Sequence, residues 1–159
     1  MAAQDFSFLY RTDQGEIDAA TWWRGLLPLI SIFLVLTLGW IIVEPYADKS
    51  LATNVPGTIV VVGGNIYRII YGAISVLLLI CFYNLSAKRW RNLGRPSSFA
   101  GILPLVAATV GALNWLEPRV GGDLPHAVVI LAEIILFAVF IWTFVECGGF
   151  RARFAALRR

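Results

Sequence analysis

Residues 26–43 read LLPLISIFLVLTLGWIIV, a stretch without a single charge. As a helix rising 1.5 Å per residue it spans about 27 Å, close to the roughly 30 Å hydrocarbon core of a bilayer. Three further blocks have the same character: Ile69 to Leu85, Phe99 to Leu116 and Ala127 to Val145. The second and third carry no charge, and the fourth carries only Glu133. Helix is the conformation expected for all four, because a lipid-facing segment must satisfy its own backbone hydrogen bonds.

The rest of the composition agrees. Of 159 residues, 58% are hydrophobic and 14% charged, with mean hydropathy +0.75. A soluble domain of average composition carries about a quarter charged residues. Apolar sequence here exceeds what so little polar surface can cover. The fold expected is an all-α membrane protein with one transmembrane domain over 1–159. Its four transmembrane helices, at about 20–43, 66–87, 98–116 and 125–147, form two hairpins. Residues 1–18 are expected as a cytoplasmic N-terminal segment and 148–159 as a basic cytoplasmic tail.

Helix ends carry their own marks. Asp18 precedes Ala19, Ala20, Thr21 and the Trp22-Trp23 pair, as a capping residue would. Glu44-Pro45 and Glu117-Pro118 are expected to stop the first and third helices, since proline disfavours helix at the residue before it. Trp22, Trp23, Trp40, Tyr46, Tyr67, Tyr83, Trp90 and Trp115 sit near block ends, where amphipathic rings meet the headgroups. The run Thr58-Ile59-Val60-Val61-Val62 reads either as a short strand or as an early start of the second helix.

Orientation follows from Lys and Arg. With four spans, the N-terminal segment, second loop and tail share a side. That side holds Arg11, Arg24, Lys88, Arg89, Arg91, Arg95, Arg151, Arg153, Arg158 and Arg159; the other holds Lys49, Arg68 and Arg119. The positive-inside rule places both termini in the cytoplasm. The first 24 residues include Asp5, Arg11, Asp13, Glu16, Asp18 and Arg24. They lack the basic start and apolar core of a signal peptide, so the first helix is expected to be retained.

The net charge of +3 does not point to nucleic acid, because the basic residues flank apolar blocks instead of forming a face. Cys81 and Cys147 read as small apolar residues near the cytoplasmic ends of helices. Two cysteines and one histidine do not make a structural zinc site, and no cofactor is expected. Glu44, Asn114, Glu117 and His126 gather near the outer face and read as solvated helix ends. Ser97, Ser98 and Thr109 have no base near them, so no catalytic residue is expected.

Gly25-Leu26-Leu27-Pro28-Leu29-Ile30 recurs as Gly101-Ile102-Leu103-Pro104-Leu105-Val106. Each copy runs on to a tryptophan and a Glu-Pro, so the chain reads as two hairpins in one orientation, a form known in transporters.

Tyr10-Arg11 through Asp18 to Trp22-Trp23, and Ala87-Lys88-Arg89-Trp90-Arg91-Asn92-Leu93-Gly94-Arg95-Pro96, resemble two motifs of the small bacterial membrane proteins grouped as domain-of-unknown-function family 805. The family's opening is an aromatic and basic stretch leading to an aromatic pair at the first helix. Its central loop usually reads Arg-Arg-Leu-His-Asp, a small residue, Arg and Ser-Gly. Here Arg91-Asn92 stands where the family has His-Asp. The resemblance implies a bacterial inner-membrane setting and the same fold class; the family has no assigned chemistry to carry over.

Three groups of residues have roles to play in this frame. Glu133 lies within a span, where an ionisable side chain usually has a partner. Arg68, at the outer boundary of the second helix, is the partner expected, as a structural ion pair. Lys88, Arg89, Arg91 and Arg95 are expected to set topology and to meet anionic lipid headgroups. Ala107 and Gly111, four residues apart, are expected to permit close helix packing, within the chain or against a partner. The function expected is that of a non-enzymatic, multi-pass inner-membrane protein, an accessory subunit with lipids and a membrane protein as partners. The rival is a small oligomeric transporter or channel using Glu133.

Overall fold

The computed structural model describes residues 6–47, 58–117, 120 and 124–150. Asp5, Lys49, Arg119, Gly121, Gly122 and the residues from 151 onward lie outside the described residues. Among the described residues the chain is helical and has no strand. The elements are α1 (Phe6–Tyr10), α2 (Ala19–Ala47), α3 (Thr58–Asn92), a 3-10 turn (Ser97–Gly101), α4 (Ile102–Leu116) and α5 (His126–Cys147).

Four stretches are long and apolar enough to cross a membrane: Ala19–Pro45, Val61–Asn92, Ser97–Leu116 and His126–Cys147. Their side chains are largely exposed, with Val35 at 70%, Ile69 at 72%, Leu105 at 70% and Phe137 at 66%. Exposed apolar surface on this scale would be untenable in water and is the ordinary covering of helices in lipid.

Three boundaries differ from the expected ones. The second helix begins at Thr58, so the β-branched run is its first turn. That helix continues to Asn92, so Lys88, Arg89 and Arg91 lie in its last turns instead of in a loop. Hydropathy marks where lipid ends, not where a helix ends, and Ala, Lys and Arg are good helix formers. Pro45 does not end the first helix, which runs to Ala47. A proline in the last turn removes one backbone donor and leaves the ladder before it intact. The N-terminal segment holds a short helix of its own, α1.

The chain divides into two compact units, residues 27–79 and residues 1–26 with 80–159. In the first, Tyr67 donates to the Leu36 carbonyl (2.7 Å), and the Tyr71 ring stacks on Trp40 with centroids 5.8 Å apart. Gly39 lies opposite the Tyr67 hydroxyl, where a Cβ would collide with it. Arg68 lies over the Trp40 ring at 5.9 Å.

In the second unit α4 packs antiparallel on α5, burying Leu103, Val110 and Val129. The densest core is at the other end of these helices, around Trp22 and Trp90, both fully buried. The Trp22 ring meets Phe144 edge-on at 5.6 Å, and Trp90 packs between Phe99 at 5.5 Å and Trp142 at 5.2 Å. Trp22 Nε1 donates to Ser86 Oγ at 3.2 Å. Two glycines in the left-handed region terminate helices here. After α3, the Gly94 amide (φ +69°) bonds the Arg91 carbonyl at 2.8 Å and the Arg95 amide bonds the Trp90 carbonyl at 3.0 Å. After α5, Gly149 (φ +76°) follows the bond from the Gly148 amide to the Phe144 carbonyl.

Asp18 caps α2 as its position suggests, Oδ1 accepting from the Thr21 amide at 2.9 Å. Those Thr21 hydrogen bonds hold the exposed Asp18 carboxyl below its ordinary pKa. The cap's contribution is therefore present above the unfolded value of about 3.9 and disappears as pH falls through the lower folded value. Asp18→Ala is expected to cost about 1 kcal/mol near neutrality. In detergent melts the difference from wild type should hold above about pH 3.9 and close as the pH falls below it. A gap unchanged by that fall would place the cost elsewhere than in the ionised cap.

Candidate functional site

The polar residues of the chain converge where α3 ends. Asn84, Lys88 and Arg91 are spaced four and three apart, so they share one face of α3. That face carries the N-terminal segment. Asn84 Nδ2 donates to the Tyr10 carbonyl at 2.7 Å. Lys88 Nζ donates to the carbonyls of Leu9 (3.1 Å), Thr12 and Asn84 (3.3 Å), and lies over the Phe8 ring at 5.0 Å. Arg91 bonds the Asp13 carboxylate at 3.0 Å, the Asp13 carbonyl and the Gly15 carbonyl at 3.4 Å. Gly15 has φ +92°, the conformation that turns the segment back towards α2.

Lys88 is fully buried. Removing an ammonium from water costs several kcal/mol even after relaxation. Three carbonyl acceptors match the three N–H donors that a lysine carries. The Leu9 carbonyl is one of those left open at the C-terminal end of α1, where a cation is also favoured by the helix dipole, and Thr12 lies two residues beyond that end. Tyr10 closes the arrangement, its hydroxyl donating to the Gly25 carbonyl at 2.8 Å. Burial, and secondarily the Cys81 thiol, push the Tyr10 pKa up, which keeps that donor protonated.

Arg89 leaves α3 on a different side. Its Nε donates to the Cys147 carbonyl at 2.9 Å, and its Nη1 to Asn92 Oδ1 at 2.5 Å. It thus does for the end of α5 what Lys88 does for the end of α1. Arg95 contacts Glu146 at 3.4 Å and lies over Trp90 at 5.6 Å. Trp23 Nε1 donates to the Gly148 carbonyl at 3.3 Å. Headgroup contact was expected of all four loop cations. Lys88 and Arg89 are buried on internal carbonyls, and Arg91 and Arg95 keep about a third of their side-chain surface exposed.

At the far end of α4 and α5, His126 Nδ1 lies 2.5 Å from Glu117 Oε1 and clips the two helices where they turn. Further inward, Asn114 Nδ2 donates to Glu133 Oε1 at 3.2 Å and to the Val110 carbonyl at 3.1 Å. The expected partner of Glu133, Arg68, belongs to the other unit. Ala107 is half-buried, while Gly111 is exposed with nothing within 4 Å of where a Cβ would stand. Among the described residues no three His, Cys, Asp or Glu side chains gather to hold a metal. Both cysteines are free.

The lock between α3 and the N-terminal segment escaped the reading of the sequence. Its signal was the spacing of Asn84, Lys88 and Arg91, which is hidden when those residues are taken as loop. Its acceptors have no signature, because they are backbone carbonyls. Comparison of the chain with protein-family models, with curated proteins and with solved structures finds no match.

Lys88→Met removes the donor from the Leu9 and Thr12 carbonyls while keeping the side chain's bulk. It is expected to lower unfolding free energy in detergent by about 1–3 kcal/mol and to speed proteolysis between residues 6 and 18. The exposed Arg24→Met should change stability by no more than about 0.5 kcal/mol. Equal protease resistance in wild type and Lys88→Met would show that the segment is held by other contacts.

Proposed function

We propose that the chain is a non-enzymatic, multi-pass protein of a bacterial inner membrane, acting as a structural or accessory subunit with its basic end in the cytoplasm. The observation that carries this reading is the use made of its polar side chains. At the end where they are densest, Lys88, Arg89, Arg91, Asn84 and Tyr10 bind the chain's own carbonyls. A site that turns over a substrate keeps polar groups directed at a cleft; here they are consumed in fixing helix ends. The orientation rests on the asymmetry of Lys and Arg, and the bacterial setting on the resemblance to family 805. The partners are lipids along the exposed apolar helices and a protein in the same membrane.

Single cysteines at Ala3, Asn54 and Gly122 test the orientation. Membrane-impermeant maleimide applied from outside should label positions 54 and 122 and spare position 3; labelling of position 3, or protection of position 54, would reverse it. Purification in mild detergent should bring down a membrane protein in fixed ratio, and the absence of any unlike associate would remove the accessory role.

A further inference from the structure

Asn114 and Glu133 form a polar pair on a surface that is otherwise apolar. Both side chains are exposed. Glu133 is seven residues past the start of α5 at His126, about 10 Å along the helix. Its neighbours Leu131, Ile134 and Ile135 are exposed hydrophobics. A carboxyl group on a lipid-facing surface is expensive and normally meets protein or water.

The hydrogen-bond inventory of the pair is specific. Both N–H groups of the Asn114 amide have acceptors, the Val110 carbonyl and Glu133 Oε1. The contacts that hold the pair leave Asn114 Oδ1 and Glu133 Oε2 unused. An uncharged carboxyl offers one O–H donor, and an amide oxygen offers an acceptor. The pair therefore presents one donor and one acceptor side by side, and such a surface is complementary to itself under two-fold rotation. Isologous contacts have this property: residue i meets residue j, and j meets i. Gly111, one turn from Asn114 on α4, leaves the space a second helix needs for close approach.

We propose that the α4–α5 face bearing Gly111, Asn114 and Glu133 is the interface of a symmetric dimer of this chain within the membrane. Glu133 of each copy donates its carboxyl proton to Asn114 Oδ1 of the other, which makes two equivalent hydrogen bonds. No proton is lost, and no charge is left in the lipid. The inference rests on the membrane-embedded reading above and supplies the partner for one face. It does not require an unlike subunit, so the two can fail separately.

The full-length protein in mild detergent or nanodiscs is examined by native mass spectrometry. The expected mass is twice the protomer's 17.6 kDa. Glu133→Leu and Asn114→Leu should each weaken the dimer at least about tenfold, the scale of roughly 1.4 kcal/mol. Glu133→Gln should keep it, because its amide N–H replaces the carboxyl O–H. Wild-type monomer, or a dimer indifferent to both leucine variants, would overturn the proposal. Loss of the dimer in Glu133→Gln as complete as in Glu133→Leu would point to a cationic partner such as Arg68 and would also overturn it. Oxidative cross-linking in intact membranes covers the case in which leucine variants fail to fold. Gly111→Cys should cross-link above the baseline of the native cysteines. Thr109→Cys, two residues away and so on the opposite side of α4, should not; equal yields at the two positions would exclude this face.

Discussion

A buried ammonium tolerates no approximation, and the end of this molecule where the chain is most tightly packed is arranged around one. Lys88 has no solvent to fall back on, so its three donors must all find oxygen. They take it from three carbonyls, one in the last turn of α1, one just beyond it and one from the preceding turn of α3. That requirement fixes where α1 lies, and Arg91 on the same face extends the grip to Asp13 and Gly15. Gly15 and Asp18 then set the start of α2. Arg89 and Trp23 tie in the end of α5. Few of these contacts involve two charged side chains. Most join a side-chain N–H to a backbone carbonyl, and those of Leu9 and Cys147 are open helix-end carbonyls that need a partner in any case.

The distribution of the core follows from the solvent. In lipid, burying a leucine against another helix gains little, because the tails are as apolar as the side chain. The spans accordingly leave most of their residues uncovered. Tryptophans are buried where the helices emerge, at Trp22 and Trp90, in the zone where water makes burial favourable.

Much of this was legible in the sequence, for identifiable reasons. The four spans were, because an uncharged run such as Leu26–Val43 has few alternatives. The Asp18 cap was, because its acceptor is a side chain with a fixed place relative to the helix. The extent of α3 was not, because Lys88, Arg89 and Arg91 look like loop when charge alone is weighed. The Lys88 site was not, because its acceptors lie 76 and 79 residues earlier and are backbone atoms. Asn114 and Glu133 were each visible as polar residues in apolar surroundings. Their pairing depends on α4 and α5 running antiparallel in one particular register.

The separation of the Lys88 contacts along the chain carries a consequence for biogenesis. The carbonyls of Leu9 and Thr12 leave the ribosome long before the lysine that will occupy them. The first and second helices must both be threaded into the bilayer before Asn84, Lys88 and Arg91 come within reach. Until then the N-terminal segment has no binding place and stays hydrated. Its docking therefore records that both helices have crossed: a chain with the second helix left out would keep Lys88 and its carbonyls on different sides of the membrane.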